Sequence, residues 1–207
     1  MPKLPNPPAV SVLAAIPPSI KTVAAGTTIW RVHSRGGRFP SAWNTFRAFG
    51  PTGSRFDHHL PPARHQQRGI LYGALLGPTC LAEFFQDART IDRVLDDPWL
   101  ARFTLTRDVH LLDLTGAWPT RAGASMAINT GPRSKSRLWS QAIYSAYPRV
   151  AGIWYGSSMD ANRPAVALYE RARSALPAVP AFHRALADPA VAMVVKNAAR
   201  RFGYAVL

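Results

Sequence analysis

Gly69-Ile70-Leu71-Tyr72-Gly73-Ala74, a break at Gly77-Pro78-Thr79, then Cys80-Leu81-Ala82-Glu83-Phe84-Phe85: the fold turns on this stretch. The first six residues are small, apolar or aromatic, which predicts a short buried strand. Thr79 is placed to cap a helix whose apolar residues recur at helical spacing from Cys80 to Ala88. Glu83 falls inside that helix among apolar neighbours. Upstream, Thr28-Ile29-Trp30-Arg31-Val32 is β-branched and aromatic and predicts a strand, in a body that begins at Ala25-Gly26-Thr27. Between the two strands, Gly36 to Pro62 reads as irregular, and a loop of that length in a compact domain is usually functional. Downstream, strands are predicted over Ala101–Thr106, Val109–Leu114, Gly152–Tyr155 and Ala165–Tyr169, with a turn-rich Gly156–Pro164 between the last two. Helices are predicted over Leu138–Tyr147, ended by Pro148, and over Asp188–Arg201. Short strands alternating with separate helices and irregular loops predict an α+β fold, not a doubly wound sheet.

The chain has 207 residues, 47% hydrophobic and 17% charged, enough apolar material for one core and too little charge for wholesale disorder. Six prolines (Pro2, Pro5, Pro7, Pro8, Pro17, Pro18) mark residues 1–24 as an extension whose leader packs loosely on the domain surface. The domain proper is expected over 25–176, and 177–207 as a helical extension packed on it. Cys80, the single cysteine, excludes an internal disulfide and any cysteine-built zinc or iron–sulfur site. The apolar runs Val10–Ile16 and Ala190–Val195 fall far short of the ~20 residues that span a bilayer. The N-terminus lacks a signal-peptide layout, so the expectation is a soluble cytoplasmic protein with no membrane partner.

Twenty-five Lys+Arg against eleven Asp+Glu give a net charge of +14. The cations are mostly arginine and scattered, with no run longer than Arg200-Arg201, unlike a nucleic-acid-binding arm. Direct nucleic-acid binding by a non-catalytic basic module, with the aromatic residues as stacking groups, therefore stands beside an anionic small ligand or an acidic protein partner.

Acidic residues are scarce enough to narrow the search for chemistry. Of the two glutamates, Glu83 and Glu170, Glu83 lies either on the solvent face of its helix or at the lip of a pocket, where burial would raise its pKa. Arg31 is either an exposed sheet-edge cation or an inward one that needs an anion. Arg55 sits in Gly53-Ser54-Arg55-Phe56, a small-residue loop suited to phosphate. Tyr72 is a core tyrosine or a stacking surface. His58-His59 and His65 lack metal-ligand spacing, so no metal is expected. Gly156-Ser157-Ser158 only partly resembles a nucleophile elbow, and neither a P-loop nor a Rossmann fingerprint is present.

The order of these segments resembles the RES family, named for its arginine, glutamate and serine, which supplies the toxins of Xre–RES toxin–antitoxin pairs. The resemblance runs from Gly26-Thr27-Thr28-Ile29-Trp30-Arg31-Val32-His33 through Arg55-Phe56 and residues 69–85. It continues through Val109-His110-Leu111-Leu112-Asp113-Leu114, Leu138-Trp139-Ser140-Gln141 and Val150-Ala151-Gly152-Ile153-Trp154-Tyr155-Gly156-Ser157-Ser158, covering roughly 25–175. It implies an ADP-ribosyltransferase-like fold with a twisted, split sheet and flanking helices. It also implies NAD as substrate rather than as a prosthetic cofactor, cleaved at the nicotinamide–ribose bond by hydrolysis or by phosphorolysis with inorganic phosphate as co-substrate. Some members of the family instead transfer ADP-ribose to a protein. The family's arginine maps to Arg31 and its glutamate to Glu83. The serine maps to Ser140, with Ser157 or Ser158 as the alternative, and Tyr72 and Arg55 complete the pocket. Arg38, preceded by Gly36-Gly37, is the alternative to Arg55. The implied partner is an Xre-type DNA-binding antitoxin.

Overall fold

The computed structural model describes residues 3–207. Eleven strands are present among them: β1 (Ile20–Val23), β2 (Thr28–Ser34), β3 (Arg47–Gly50), β4 (Arg64–Ala74), β5 (Thr90–Ile91), β6 (Pro98–Thr104), β7 (Val109–Asp113), β8 (Gly152–Gly156), β9 (Pro164–Tyr169), β10 (Phe182–Ala185) and β11 (Ala205–Val206). The helices are α1 (Val10–Ala14), α2 (Gly77–Phe84), α3 (Trp118–Arg121), α4 (Ala127–Thr130), α5 (Arg133–Ala146) and α6 (Ala192–Phe202). Nine strands form one mixed sheet in the order β1-β7-β8-β9-β4-β2-β6-β10, with β3 also on β4, while β5 and β11 make a small parallel pair. Only β7 and β8 run parallel in the large sheet, so this is an α+β domain and not a parallel doubly wound one.

Period-two alternation explains how the sheet separates two cores. Ile153 and Tyr155 of β8, Ala165, Ala167 and Tyr169 of β9, and Ile70 and Ala74 of β4 face the helices α1, α2, α5 and α6. Their neighbours Trp154, Val166, Leu168 and Leu71 face a second core roofed by Trp43, Phe46, Ala172 and Ala175 from irregular segments. Both faces of β8 and β9 are therefore buried, and their unbroken apolar runs follow from that.

One irregularity creates the candidate site. β2 and β4 pair only at Trp30↔Ala74. Beyond that point β2 continues along β6, through Arg31↔Ala101 and His33↔Trp99, while the first half of β4 pairs with β3. The Val32 N–H, left without a β4 partner, donates to the Cys80 sulfur at 3.1 Å. The sheet is split here, and Arg31 is the first β2 residue past the split.

Several sequence expectations change. Residues 36–62 are not wholly irregular, because β3 lies among them; its Arg-Ala-Phe-Gly composition carries no strand signal, and its pairing with β4 is long-range. Helix α2 starts at Gly77, with Leu76 in the cap position and Pro78 in the first turn, so Thr79 is an interior helical residue and caps nothing. α2 also ends at Phe84, short of Ala88. α5 begins at Arg133, five residues earlier than the apolar spacing indicates. Asp188 caps a 3₁₀ turn through the Ala190 N–H, and α6 proper begins at Ala192. The leader is docked rather than loose: Leu13 is fully buried, and the Tyr147 hydroxyl donates to the carbonyls of Leu13 (2.7 Å) and Ile16 (2.9 Å). The Trp139 indole N–H likewise donates to Pro5 at 2.9 Å. No helix among the described residues is long and apolar enough to cross a membrane.

Candidate active site at the split between β2 and β4

Because α2 follows β4 after two residues, its Glu83 lies beside the end of β8. The half-buried Glu83 carboxylate accepts a 2.5 Å hydrogen bond from the Ser157 hydroxyl. Ser157 directly follows β8 and is completely buried, whereas Ser158 is exposed. The Ser157 oxygen in turn accepts from the Met159 N–H at 3.1 Å, so the hydroxyl is aimed at Glu83. Burial raises the Glu83 pKa above the ordinary glutamate value; the Ser157 bond and the charges of Arg55 and Arg133 oppose that rise. A carboxylate held between desolvation and two cations can face a developing positive charge.

Arg31 is buried on β2, where one guanidinium N–H donates to the Thr45 carbonyl at 3.1 Å and the Nε has no partner. Burial, with the like charge of Arg47 adding to it, lowers its pKa to about 10, so the side chain stays cationic at neutral pH. Among the described residues no carboxylate pairs with it, although Asp57 is bound to Arg47 at 3.0 Å and to His59 at 2.5 Å. A buried cation without an anion costs stability unless a ligand supplies one.

Arg55 reaches the site from the loop after β3. Its Nη1 donates to the Gly131 carbonyl at 2.5 Å and lies 3.4 Å from the Ser136 hydroxyl, while its charge interacts with Glu83. The adjacent Phe56 packs on Tyr155 with ring centroids 4.8 Å apart. Ser140 belongs to the support of this loop: fully buried in α5, it donates to the Phe56 carbonyl at 2.7 Å and lies 3.5 Å from the Tyr169 hydroxyl. Thus Ser157 meets Glu83, and Ser140 meets the backbone beside Arg55. Tyr72 points to the helical face of the sheet, and its hydroxyl is buried without a partner. Burial pushes its pKa far up, so it remains a neutral phenol. Arg38 is exposed in an outer loop, over the ring of Phe39.

Sequence reasoning missed the residues that hold these groups. Asp57 is fully buried and accepts from the Thr52 N–H and hydroxyl at 2.6 and 2.8 Å and from the His59 N–H at 3.1 Å, closing the loop that carries Arg55. Its hydrogen bonds and Arg47 hold its pKa well below the carboxylate range against desolvation. Arg133, at the start of α5, is held by Gln86 (2.8 Å) and Asp87 (2.9 Å) just beyond α2. The position of Asp57, two residues after Arg55, was the one available signal. His58 and His59 are buried and stacked with ring centroids 5.2 Å apart, and among the described residues no three metal-ligating side chains converge.

Comparison with known proteins identifies the family and the fold. The RES domain model matches residues 28–191. No curated protein matches the chain. Among solved structures, a chain of the Mycobacterium tuberculosis MbcT–MbcA toxin–antitoxin complex superposes with a TM-score of 0.57 at 15% identity, over 91% of this chain and 96% of that one. The family match takes in Arg31, Arg55, Tyr72, Glu83, Ser140 and Ser157 and most of the sheet that places them: the chain belongs to the RES domain family.

Proposed function

We propose that this protein is the toxin of a toxin–antitoxin pair and that it acts by cleaving the nicotinamide–ribose bond of NAD. The observation that carries the reading is a Ser157-bound Glu83 on α2 together with a buried Arg31, at the split in the sheet, that has no anion of its own among the described residues, both within electrostatic reach of Cys80. NAD offers the complementary pattern: a ribose that turns cationic on reaction and a pyrophosphate that is permanently anionic.

Cleavage takes the C1′–N bonding pair onto the pyridinium ring and releases neutral nicotinamide, so no strong general acid is needed. The ribose becomes an oxocarbenium ion. Glu83, ionised, stabilises that charge and accepts from a ribose hydroxyl. Ser157 fixes the orientation of the carboxylate, while Arg31 and Arg55 grip the pyrophosphate with forked hydrogen bonds. Tyr72 and Tyr155 supply apolar surface for the nicotinamide, and the held geometry supplies much of the rate. Water then adds to C1′ and loses a proton to solvent, giving ADP-ribose; if phosphate adds instead, the product is a sugar phosphate. Transfer to a protein side chain shares the first step. The partner is an antitoxin of the DNA-binding Xre type, and both work in the cytoplasm, where NAD is abundant.

Purified chain incubated with NAD, with and without phosphate, should release nicotinamide, and Glu83→Gln should lower the rate by at least about a hundredfold without loss of fold. No release from folded, partner-free protein would reject NAD cleavage; label appearing on protein from radiolabelled NAD would redirect the reading to a transferase.

A further inference from the structure

The turn that carries Ser157 is tied down at a second point. Asp160, only 3% exposed, accepts from the Thr79 hydroxyl at 2.6 Å and from Arg201 Nη2 at 2.5 Å. Thr79 and Glu83 lie four residues apart on α2, hence on one face of the helix. Ser157–Glu83 and Asp160–Thr79 are therefore two rungs joining the same turn to the same helix face. The turn itself is closed by Asn162 N–H to Ser157 C=O (3.0 Å), Arg163 N–H to Asp160 C=O (2.7 Å) and Ser157 N–H to Arg163 C=O (2.9 Å), with Ala161 and Asn162 both at positive φ. Such a turn keeps its shape only where its surroundings hold it.

Arg201 comes from α6, which packs against α2 through the buried residues Val195, Ala198 and Ala199. α6 begins one residue beyond the end of the RES match. Asp160 is a buried carboxylate whose one charged partner among the described residues is Arg201, and without that cation its burial becomes unfavourable.

We infer that Arg201 is a positioning residue of the active site: through Asp160 it holds the 157–163 turn so that the Ser157 hydroxyl stays on Glu83. The C-terminal helix, outside the family match, is on this view part of the catalytic apparatus. The inference rests on the assignment of Glu83 as the functional carboxylate, and its test reads the carboxylate directly.

The chain has only two glutamates, so ¹³C-carboxyl labelling of glutamate gives two signals, and Glu83→Gln assigns them. The groups facing Glu83 are Ser157, the Met159 N–H, Arg55, Arg133, Cys80, Tyr155 and Tyr204. Of these, Ser157 and the Met159 N–H lie on the turn that Asp160 holds. Loss of the Ser157 hydrogen bond removes an influence that lowers the Glu83 pKa, so Ser157→Ala should move the titration to higher pH. Arg201→Ala should move it the same way, Arg201→Lys should restore most of the wild-type value, and Arg200→Ala, bonded only to Asn197, should change nothing. The Ser157→Ala/Arg201→Ala double variant should shift by clearly less than the sum of the two single variants. In NAD cleavage, Arg201→Ala should lower kcat about tenfold or more with KM nearly unchanged, since a misplaced catalytic group acts on the reaction step. A Glu83 titration unmoved by Arg201→Ala, or additive shifts in the double variant, would overturn the inference. If the wild type fails to cleave NAD, the functional proposal falls while the titration still decides the role of Arg201.

Discussion

At Arg31 stability and function are opposed. The side chain is 8% exposed, its Nε has no partner, and no carboxylate pairs with it among the described residues. A group selected for packing would not be left so. Arg31→Met, which keeps the length and removes the uncompensated charge, should therefore leave the free protein as stable or raise ΔG by about 1 kcal/mol, while NAD binding is lost. Thermal unfolding with and without NAD checks both halves; a destabilisation above about 2 kcal/mol would mean that the guanidinium is structural. Glu83 makes the matching pH prediction. Its folded-state pKa is raised, so ionisation requires a higher pH than for an ordinary glutamate, and NAD cleavage should fall on the acid side from that higher pH downward. Both residues could be singled out in the sequence because few acidic residues compete and because a strand arginine must be either exposed or matched. Which serine meets Glu83 was not legible. Ser140 and Ser157 both lie near apolar segments, and only the three-dimensional closure of β8 beside α2 separates the one on Glu83 from the one on the Phe56 carbonyl.

The elements readable in sequence were those whose residues carry their own pattern: β2, β4, β6, β7, β8, β9 and the apolar faces of α5 and α6. β1, β3 and β10 were not legible, being four-residue strands that exist because a partner offers a free edge. The helix starts misled for a related reason. Thr79 looks like a cap, yet its hydroxyl is used by Asp160 in the interior. α1 illustrates the cost of reading composition alone. Its five residues cannot be stable in isolation; they are helical because Leu13 enters the core beneath α5 and Tyr147 gathers the carbonyls that end it. Leu13→Ala should accordingly destabilise the whole domain by about 2–5 kcal/mol, and Tyr147→Phe by about 1 kcal/mol, since the Ile16 carbonyl loses the hydroxyl while the Leu13 carbonyl keeps the Ile16 N–H. Chemical denaturation of the two variants checks this; wild-type midpoints would show that residues 3–16 adhere without contributing.

Over the whole molecule, cations outnumber carboxylates by fourteen, and the carboxylates have local tasks. Asp57, Asp160 and Glu170 are bonded internally, Glu83 is turned to Ser157, and Asp92, Asp108, Asp113 and Asp188 accept from nearby backbone N–H groups. Hydrogen bonds leave these carboxylates charged, but eleven of them cannot offset twenty-five cations, so the field outside the protein is positive. Such a field acts chiefly on encounter: it accelerates an acidic partner and is screened beyond roughly 10 Å at 0.1 M salt. An antitoxin that neutralises this protein should therefore present an acidic face, and the association rate should fall several-fold to a hundredfold between about 50 and 300 mM salt while dissociation changes little. Charge reversal at Arg107 and Arg149, both exposed and just before β7 and β8, at the end of β8 opposite to Ser157, should slow association and leave nicotinamide release intact. Stopped-flow or surface-binding kinetics on these variants separates the alternatives. If association is insensitive to salt, the arginines do not serve that partner. If the chain alone instead binds nonspecific duplex DNA with a steep salt slope, they serve nucleic acid.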